Sequence, residues 1–390
     1  MKKNILGMIV VGLMLSFAAV SFAEAPTFPY TYAFGGMSAG FYKVGSQEVG
    51  TLNWHPDIRF GLFSFGFDVN VPFGGNSSPV GYQNFVLRNV EYNDGSKGIR
   101  YGVISTMTWG SGLLMKDYTT LNPSVVMLSN DQMGVIGYIT LSDTIVKALA
   151  TKTSLYGVRA EKRVNPLLTV GASFLCDHDG VLIPATGLMQ KVNGLGVDAS
   201  VPLPLNFNLY AELAQLMHDG IGSNGFTTGF SWGQDLLIAK ANFLAEYRIL
   251  DKGFAPSYFN TEYEYNPVNL TSLEATGQAK NGYLVQLNAD ALGLATLKAV
   301  YEQYNQSNGA FNGTLYAKLP QNIEAYGYYT QPTFVDFSSL NFEQGAILGG
   351  WLAYPVNQFT KLVINYKKAY NSSTARVEES QYYEVRFNFN

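Results

Sequence analysis

The stretch FSFGFDVNV, residues 63–71, places a large apolar side chain at every second position and a small or polar one between them. Successive side chains of a β-strand point to opposite faces of the sheet, so this pattern predicts a strand with one apolar face and one polar face. The same alternation returns at 237–249, at 362–366 and, most regularly, at 383–389. The sequence therefore predicts an all-β chain built from two-faced strands.

The composition of the chain disfavours several classes of protein. Of the 390 residues, 47% are hydrophobic, 14% are aromatic and only 14% are charged, with a formal net charge of -4. Soluble domains carry about 25% charged residues, and disordered chains are poor in aromatic residues, so both classes are disfavoured. The mild acidity lacks the basic footprint of nucleic-acid binding, so no nucleic-acid partner is expected. A single cysteine, Cys176, excludes a disulfide scaffold.

The first 23 residues have the layout of a secretory signal peptide. Lys2 and Lys3 precede an apolar run from Ile5 to Val20, and a small-x-small site follows at 21–23. We expect cleavage near Ala23 and a single mature β-barrel domain at 24–390. After the signal peptide no run of 18 uninterrupted apolar residues occurs, which excludes membrane-spanning helices by length.

Short and long connections alternate after residue 150. The predicted short turns lie at 164–166, 202–204, 233–235, 291–293, 320–322 and 355–357. The predicted longer connections lie at 177–190, 218–225, 251–281, 306–310, 331–345 and 371–380. Soluble sandwiches and β-helices also have alternating strands, but short turns at one end and longer loops at the other are typical of transmembrane β-barrels.

These twelve connections join thirteen strands, and termini that share one side of the membrane require an even total. The region before residue 150 must therefore supply an odd number of strands. Its candidates are 30–44, 57–71, 82–92, 99–109 and 133–141. Three strands give 16 and five give 18, so we predict a transmembrane antiparallel β-barrel of 16 strands, with 18 as the alternative. The irregular segment 110–132 is interpreted as an inserted plug, a constriction loop or a strand.

With these features the chain resembles the bacterial outer-membrane porins. The resemblance covers the mature chain by architecture, and it includes a terminal strand, 382–390, that looks like the sorting signal read by the barrel-assembly machinery. One departure is that Phe389 is followed by Asn390, whereas the usual signal ends on the aromatic residue. The resemblance implies an outer-membrane location, contact with outer-membrane lipid, passage of small hydrophilic solutes and, as in many porins, a homotrimer.

If the apolar faces meet lipid, the alternation assigns the charged residues of the strands to the inside. A Lys or Arg on the lipid face near the bilayer centre costs about 2–4 kcal/mol, which favours this assignment. The predicted pore-lining residues are Arg100, Arg159, Arg163, Lys240, Arg248, Lys298, Lys318, Lys361, Lys367, Arg386, Asp68, Glu161, Glu246, Asp290, Glu302, Glu324 and Glu384. Each is interpreted as a solvated lumen side chain that can tune selectivity, and ten bases against seven acids indicate a slight preference for anions.

Tyrosines share the predicted inner face, namely Tyr316, Tyr326, Tyr328 and Tyr382. Two interpretations stay open. The rings form a track on which sugars slide by stacking, or they brace the barrel wall through their hydroxyl groups.

No catalytic or metal motif accompanies the strands. The three histidines, His55, His178 and His218, lack zinc-site spacing, and the segment 176–180 reads as a surface loop. A Ser-His pair at the outer rim, such as His218 with Ser223, is not accompanied by a G-x-S-x-G elbow. We therefore expect no catalytic residue, no metal, no cofactor and no enzymatic activity.

The first functional hypothesis is a water-filled porin for passive diffusion of small hydrophilic solutes and ions. The second is a plugged, structural or binding barrel, with 110–132 as the plug. The third is a transporter of hydrophobic compounds through a lateral opening.

Overall fold

The computed structural model describes residues 32–33, 36–44, 47–73, 84–121, 133–183, 186–305, 307–335, 346–371 and 376–388. The predicted signal peptide, the segment 122–132 and the last two residues lie outside these ranges.

Strands dominate the described chain. The segments before residue 152 are β1 (Tyr32–Ala33), β2 (Gly36–Val44), β3 (Gln47–Trp54), β4 (Asp57–Phe60), β5 (Phe63–Phe73), β6 (Phe85–Asn93), β7 (Lys97–Val103), β8 (Met107–Trp109), β9 (Met115–Tyr118), β10 (Met133–Leu141) and β11 (Thr144–Thr151). The next are β12 (Leu155–Asn165), β13 (Leu168–Asp177), β14 (Val181–Ile183), β15 (Leu188–Gln190), β16 (Asn193–Leu203), β17 (Phe207–His218), β18 (Ile221–Asp235) and β19 (Lys240–Leu250). Helix α1 (Leu270–Thr276) precedes β20 (Lys280–Ala291), β21 (Ala295–Tyr304), β22 (Gly309–Lys318), β23 (Glu324–Phe334), β24 (Ile347–Pro355), β25 (Thr360–Asn371) and β26 (Arg376–Asn388).

One antiparallel sheet joins 22 of these segments. β1 pairs with β4 and β2 pairs with β3, so β1–β2 and β3–β4 each count as one interrupted strand, which leaves twenty strands in the described residues. The interruption between β3 and β4 falls at Pro56, which lacks the N–H that a ladder needs. The last strand, β26, pairs with β25 and also with β2, so each of the twenty has a hydrogen-bonded neighbour on both sides.

The two faces of this sheet differ as the alternation predicts. In β12 the side chains of Tyr156 and Val158 are exposed on the outer face, while Leu155 and Arg159 are buried on the inner face. Other strands repeat this pattern, with exposed apolar residues such as Leu213 alternating with buried inner residues. An apolar exterior and a polar, partly buried interior define a transmembrane antiparallel β-barrel.

The two ends of the barrel differ in their connections. At one end, here called the turn end, the described connections have two to five residues, as at 61–62, 166–167, 236–239 and 319–323. The opposite loop end carries the longest connections, 104–132, 178–192 and 251–279. This is the short-turn and long-loop asymmetry that the sequence predicts.

The predicted strand number, 16 or 18, is wrong. The thirteen strands predicted after residue 150 are present as β12, β13 and β16 to β26, but the region before it supplies seven rather than three or five. The predicted strand 57–71 is two strands, β4 and β5, that reverse at Gly61, whose φ of +57° favours glycine. Apolar neighbours at Phe60 and Phe63 conceal this turn in the sequence. β3 and β11 were not predicted.

One connection and one strand also differ from the prediction. The connection predicted at 218–225 is a two-residue hairpin, because Asp219 and Gly220 have φ values of 48° and 79° and bring His218 opposite Ile221. The predicted strand 99–109 ends at Val103, and 107–109 is the separate strand β8, which pairs with β9 and not with the barrel wall.

Candidate channel and its inner wall

Two connections from the loop end pack against each other on the inner side of the wall. They are 104–121, here called the first insert, and 251–279, the second insert. Their backbones meet where Phe259 N donates to Leu114 O at 3.2 Å and Lys116 N donates to Phe259 O at 3.0 Å. Ser257 N also donates to Leu113 O at 2.6 Å. The inserts therefore form one hydrogen-bonded unit.

The largest apolar core of the described chain surrounds this contact. It contains insert residues such as Leu113, Met115 and Phe259, together with Leu155 and Leu175 of the wall, all of which are fully buried. Burial of apolar surface is the dominant favourable term in packing, so this core holds the inserts against β12, β13 and their neighbours. The segment 110–132 was predicted as a plug, a constriction loop or a strand. Its described part, 110–121, is an insert that folds inward.

Glu212 of β17 anchors the first insert by hydrogen bonds. Its carboxylate, 3% exposed, accepts from Ser111 N at 2.7 Å, from Ser111 Oγ at 2.6 Å and from Leu113 N at 3.3 Å. Gly110 has a φ of +63°, and a Cβ there would lie 2.7 Å from Glu212 Oε2. Gly157 in the wall similarly admits the ring of Trp109, 2.7 Å from a hypothetical Cβ. The inner wall is thus shaped to receive this insert.

Gln190 of β15 makes three hydrogen bonds to the second insert. Gln190 Nε2 donates to Tyr258 Oη at 2.7 Å and to Val268 O at 3.0 Å, and Leu270 N donates to Gln190 Oε1 at 2.8 Å. Helix α1 begins next to this contact, with Asn269 Oδ1 accepting from Ser272 N at 2.9 Å as its N-cap.

A tyrosine of the first insert and a carboxylate of the second insert also join the two inserts. The hydroxyl of Tyr118 donates to Glu264 Oε1. Burial raises the pKa of the Glu264 carboxyl and lowers the pKa of the Lys116 ammonium, because a low-dielectric surrounding disfavours both charged forms. The contact between the inserts is therefore sensitive to protonation.

Two buried arginines lie on the inner wall. Arg159 contacts both carboxylate oxygens of Asp198, at 2.5 and 2.9 Å, as well as Ser173 Oγ at 3.0 Å. Arg248 lies 2.7 Å from Glu246 and 3.5 Å from Glu302. Hydrogen-bonded pairs of this kind offset the cost of burying the charges. Since both cations are neutralised locally, the count of ten bases against seven acids does not by itself give an ion preference.

The seventeen residues predicted to line the pore all lie on the inner face of their strands. Close to the inserts are Arg100, Arg159, Glu161, Glu246, Arg248, Lys298 and Glu302, with Lys298 Nζ 3.8 Å from Asp117 of the first insert. Near the turn end are the exposed Arg163, Lys240 and Lys318, with Asp290 accepting from Thr296 Oγ1 at 2.9 Å. On β23, β25 and β26 are Glu324, Lys361, Lys367, Glu384 and Arg386. Asp68 on β5 lies 2.7 Å from His55 and 3.6 Å from Arg88.

Several inner-face carboxylates were not predicted from the sequence, among them Asp198 and Glu212. Both occupy the polar phase of an alternating strand, between Val197 and Ala199 and between Ala211 and Leu213, so the same rule would have found them. Ser111 carries no comparable signal because it lies outside the strands. His218 and Ser223, considered as an outer-rim pair, are instead 2% exposed on the inner face.

Cavities remain between the inserts and the wall. One of about 280 Å³ is lined by Ser111, Arg159, Asp198 and Tyr210, and one of about 600 Å³ by Arg100, Trp109, Tyr138 and Lys147 among others. The smaller cavity is mainly polar and the larger one is mainly apolar with a few charged side chains, and both have the size of small solutes.

In the ranges that the structure describes, no three His, Cys, Asp or Glu side chains gather as a metal-binding group. Within the same ranges, no helix has the length and apolar character needed to cross a membrane.

An apolar exterior around a charged interior defines the class as a transmembrane β-barrel. No protein-family profile and no curated protein matches the sequence. The fold is similar to solved structures. One is Wzi of Escherichia coli, an outer membrane protein involved in group 1 capsule assembly and a carbohydrate-binding β-barrel. The match has 12% identity and a TM-score of 0.44, and it covers 92% of this chain and 85% of Wzi. Another is OccK9 (OpdG) of Pseudomonas aeruginosa, at 11% identity and a TM-score of 0.42 over 92% of this chain and 98% of OccK9. OccK2 (OpdF) of the same organism, solved with glucuronate, matches at 10% identity and 0.42, over 92% and 96%.

Proposed function

We propose that this protein is an outer-membrane channel for passive diffusion of small hydrophilic solutes and ions. The observation that carries the proposal is the separation of the two faces, with apolar side chains exposed outside and most charged residues of the described strands inside. Exposed inner cations such as Lys298 and Lys318 are stable only next to water, since their burial without a partner would be costly. Barrels of about 16–18 strands leave an aqueous channel, so we expect the twenty described strands to enclose a lumen that conducts ions.

The proposal includes the expected route to the membrane and the expected partners. A cleaved signal peptide delivers the chain to the periplasm, the barrel-assembly machinery reads the C-terminal strand, and outer-membrane lipid covers the exterior. The chain performs no catalytic step and binds no cofactor. The resemblance to porins alone supports a homotrimer.

Single-channel recording in planar lipid bilayers tests the proposal. Purified, heat-modifiable protein is expected to insert and to give stepwise current increments in potassium chloride. A preparation that migrates as a folded barrel yet never produces current steps contradicts an open channel.

A second candidate function, a plugged barrel that opens only when a partner displaces the inserts, is favoured by the apolar core between inserts and wall. Leu113, Leu114 and Phe259 of the inserts are buried in this core, as expected for segments that stay docked in the lumen. Silent wild-type protein together with a conducting variant in which the first insert is released would favour the plugged barrel. Conducting wild-type protein favours the open channel.

A further inference from the structure

Four aromatic side chains lie together on the inner face of β22, β23 and β24. They are Tyr316, Tyr326, Tyr328 and Trp351, here called the aromatic row. Tyr316 is directly opposite Tyr326, and Tyr326 is directly opposite Trp351. The ring centroids of Tyr326 and Trp351 are 5.9 Å apart with an interplanar angle of 26°, and that of Tyr328 lies 6.0 Å from Tyr326. The rings therefore form a continuous surface.

The geometry of the barrel sets the direction of this surface. Directly opposed residues follow one another perpendicular to the strands, about 4.8 Å apart. Because strands of such barrels tilt by about 35–45° from the axis, a row perpendicular to them also advances along the axis. Gly349 lets the Tyr328 ring lie against the wall, since a Cβ there would be 2.4 Å from that ring. The aromatic row thus runs obliquely across the inner wall and advances along the lumen.

The hydroxyl groups distinguish the two interpretations of these tyrosines. Structural tyrosines of this chain use their hydroxyls, as Tyr210 does toward Glu246 at 2.9 Å. Among the described residues, Tyr316, Tyr326 and Tyr328 make no hydrogen bond through theirs, and all three are partly exposed. Bracing of the wall through hydroxyl groups therefore does not account for them, and accessible ring surface remains.

Paired charges border the aromatic row on the side of the turn end. Lys361 Nζ lies 2.8 Å from Glu324 Oε1, and Arg386 contacts Glu384. The Arg386 guanidinium also lies over the Trp351 ring, 5.3 Å from its centroid. These groups present donors and acceptors side by side next to the ring surface. A sugar hydroxyl both donates and accepts, so it is matched by such a border.

We propose that the aromatic row is a binding site for pyranose saccharides. The apolar face of the sugar ring lies on Trp351 and Tyr326, and the hydroxyl groups bond to Lys361, Glu324 and Arg386. The inference rests on the proposed channel function and deepens it by naming the class of solute. Weak, repeated contacts along the aromatic row would guide a chain of sugar units through the lumen, because each ring offers a similar surface.

Current block by maltohexaose, a neutral glucose oligomer, tests the site. Addition of maltohexaose to single wild-type channels is expected to cause transient, concentration-dependent interruptions of the ion current. A polyethylene glycol of equal size should not give such discrete events. Trp351→Ala is expected to weaken the block about tenfold, whereas Trp351→Phe should retain most of it, since a ring surface remains.

The matched control is Tyr354→Ala. Tyr354 belongs to the same strand, β24, but is exposed on the outer face, so its removal should leave the block unchanged. Tyr316→Leu serves as a second variant if Trp351→Ala does not fold. Steady conductance without maltohexaose block, or a block that neither Trp351→Ala nor Tyr316→Leu weakens, overturns the saccharide site while leaving the channel standing. Folded protein without any current instead contradicts the channel function itself.

Discussion

Replacing Glu212 by alanine is expected to release the first insert from the inner wall. The carboxylate accepts three hydrogen bonds from the insert, of which those from Ser111 N and Ser111 Oγ are short at 2.7 and 2.6 Å. Hydrogen bonds to a charged group contribute about 1.5–3 kcal/mol each, and Glu212→Ala also leaves Ser111 N without its acceptor. The bond from Leu113 N, at 3.3 Å, adds less.

Part of this loss is offset because alanine removes a carboxylate that is costly to bury. A net change of about 1–3 kcal/mol remains, which corresponds to about a 5- to 150-fold larger population of released insert. Glu212→Gln keeps an acceptor oxygen, and neutral hydrogen bonds are about half as strong as charge-assisted ones, so its effect should be smaller. Leu213→Ala, on the outer face of the same strand, is the matched control.

Single-channel recording measures this release as the fraction of time spent at higher conductance. The expected order is Glu212→Ala above Glu212→Gln, with Leu213→Ala equal to the wild type. If Glu212→Ala conducts like the wild type, or if Glu212→Gln has the larger effect, the hydrogen bonds do not hold the insert and the reasoning is refuted.

Three further changes test other parts of the account. Val158→Lys, on the outer face, should destabilise the folded barrel by about 2–4 kcal/mol if it lies near the bilayer centre, and should lower the yield of heat-modifiable protein, whereas Ser200→Lys on the inner face should not. Burial raises the pKa of the Glu264 carboxyl. The protonated carboxyl therefore stabilises docking of the second insert fully at pH values below the ordinary carboxyl pKa, and this stabilisation is lost as the pH rises through the raised pKa. Acidification should therefore lower conductance, and a Glu264→Gln channel that keeps the same pH dependence would contradict this. Gly157→Leu should displace the Trp109 ring and increase proteolysis of the first insert, and unchanged proteolysis would argue against that packing.

The faces of the strands could be predicted because their cause is local. Side chains alternate with period two, and a barrel with lipid outside and polar groups inside requires the same alternation in every strand. For this reason all seventeen predicted charged residues share one face. The same alternation would also have assigned Asp198 and Glu212 to that face. The thirteen strands after residue 150 were predictable for the same reason, helped by turns with proline or glycine.

The number of strands was harder to predict from the sequence because some turns contain no polar residues that mark them. The reversal at Gly61 is flanked by the apolar residues Phe60, Leu62 and Phe63, and only a change of the apolar positions from even to odd numbers marks it in the sequence. Asp219 and Gly220 show the converse, since a polar stretch suggested a long loop where a two-residue hairpin suffices.

The inserts could not be predicted because their partners are far away in sequence. Leu114 and Phe259 share a backbone hydrogen bond across more than a hundred intervening residues, and no period connects them. Their apolar side chains were visible, but the sequence does not say whether such residues pack inside the barrel or project beyond it. Only the folded structure, with Glu212 of the wall and Gln190 of the connection 178–192 in position, determines where these segments dock.

We propose a water-filled lumen on one face of the wall and lipid on the other. Cysteine labelling of two adjacent residues during single-channel recording tests it most directly, in a Cys176→Ser background. Lys298 is on the inner face and exposed, and Leu297 is exposed on the outer face. A charged, membrane-impermeant thiol reagent is expected to change the current through Lys298→Cys channels stepwise and to leave Leu297→Cys channels unaffected. Equal modification of both positions, or modification at Leu297→Cys alone, would contradict the account.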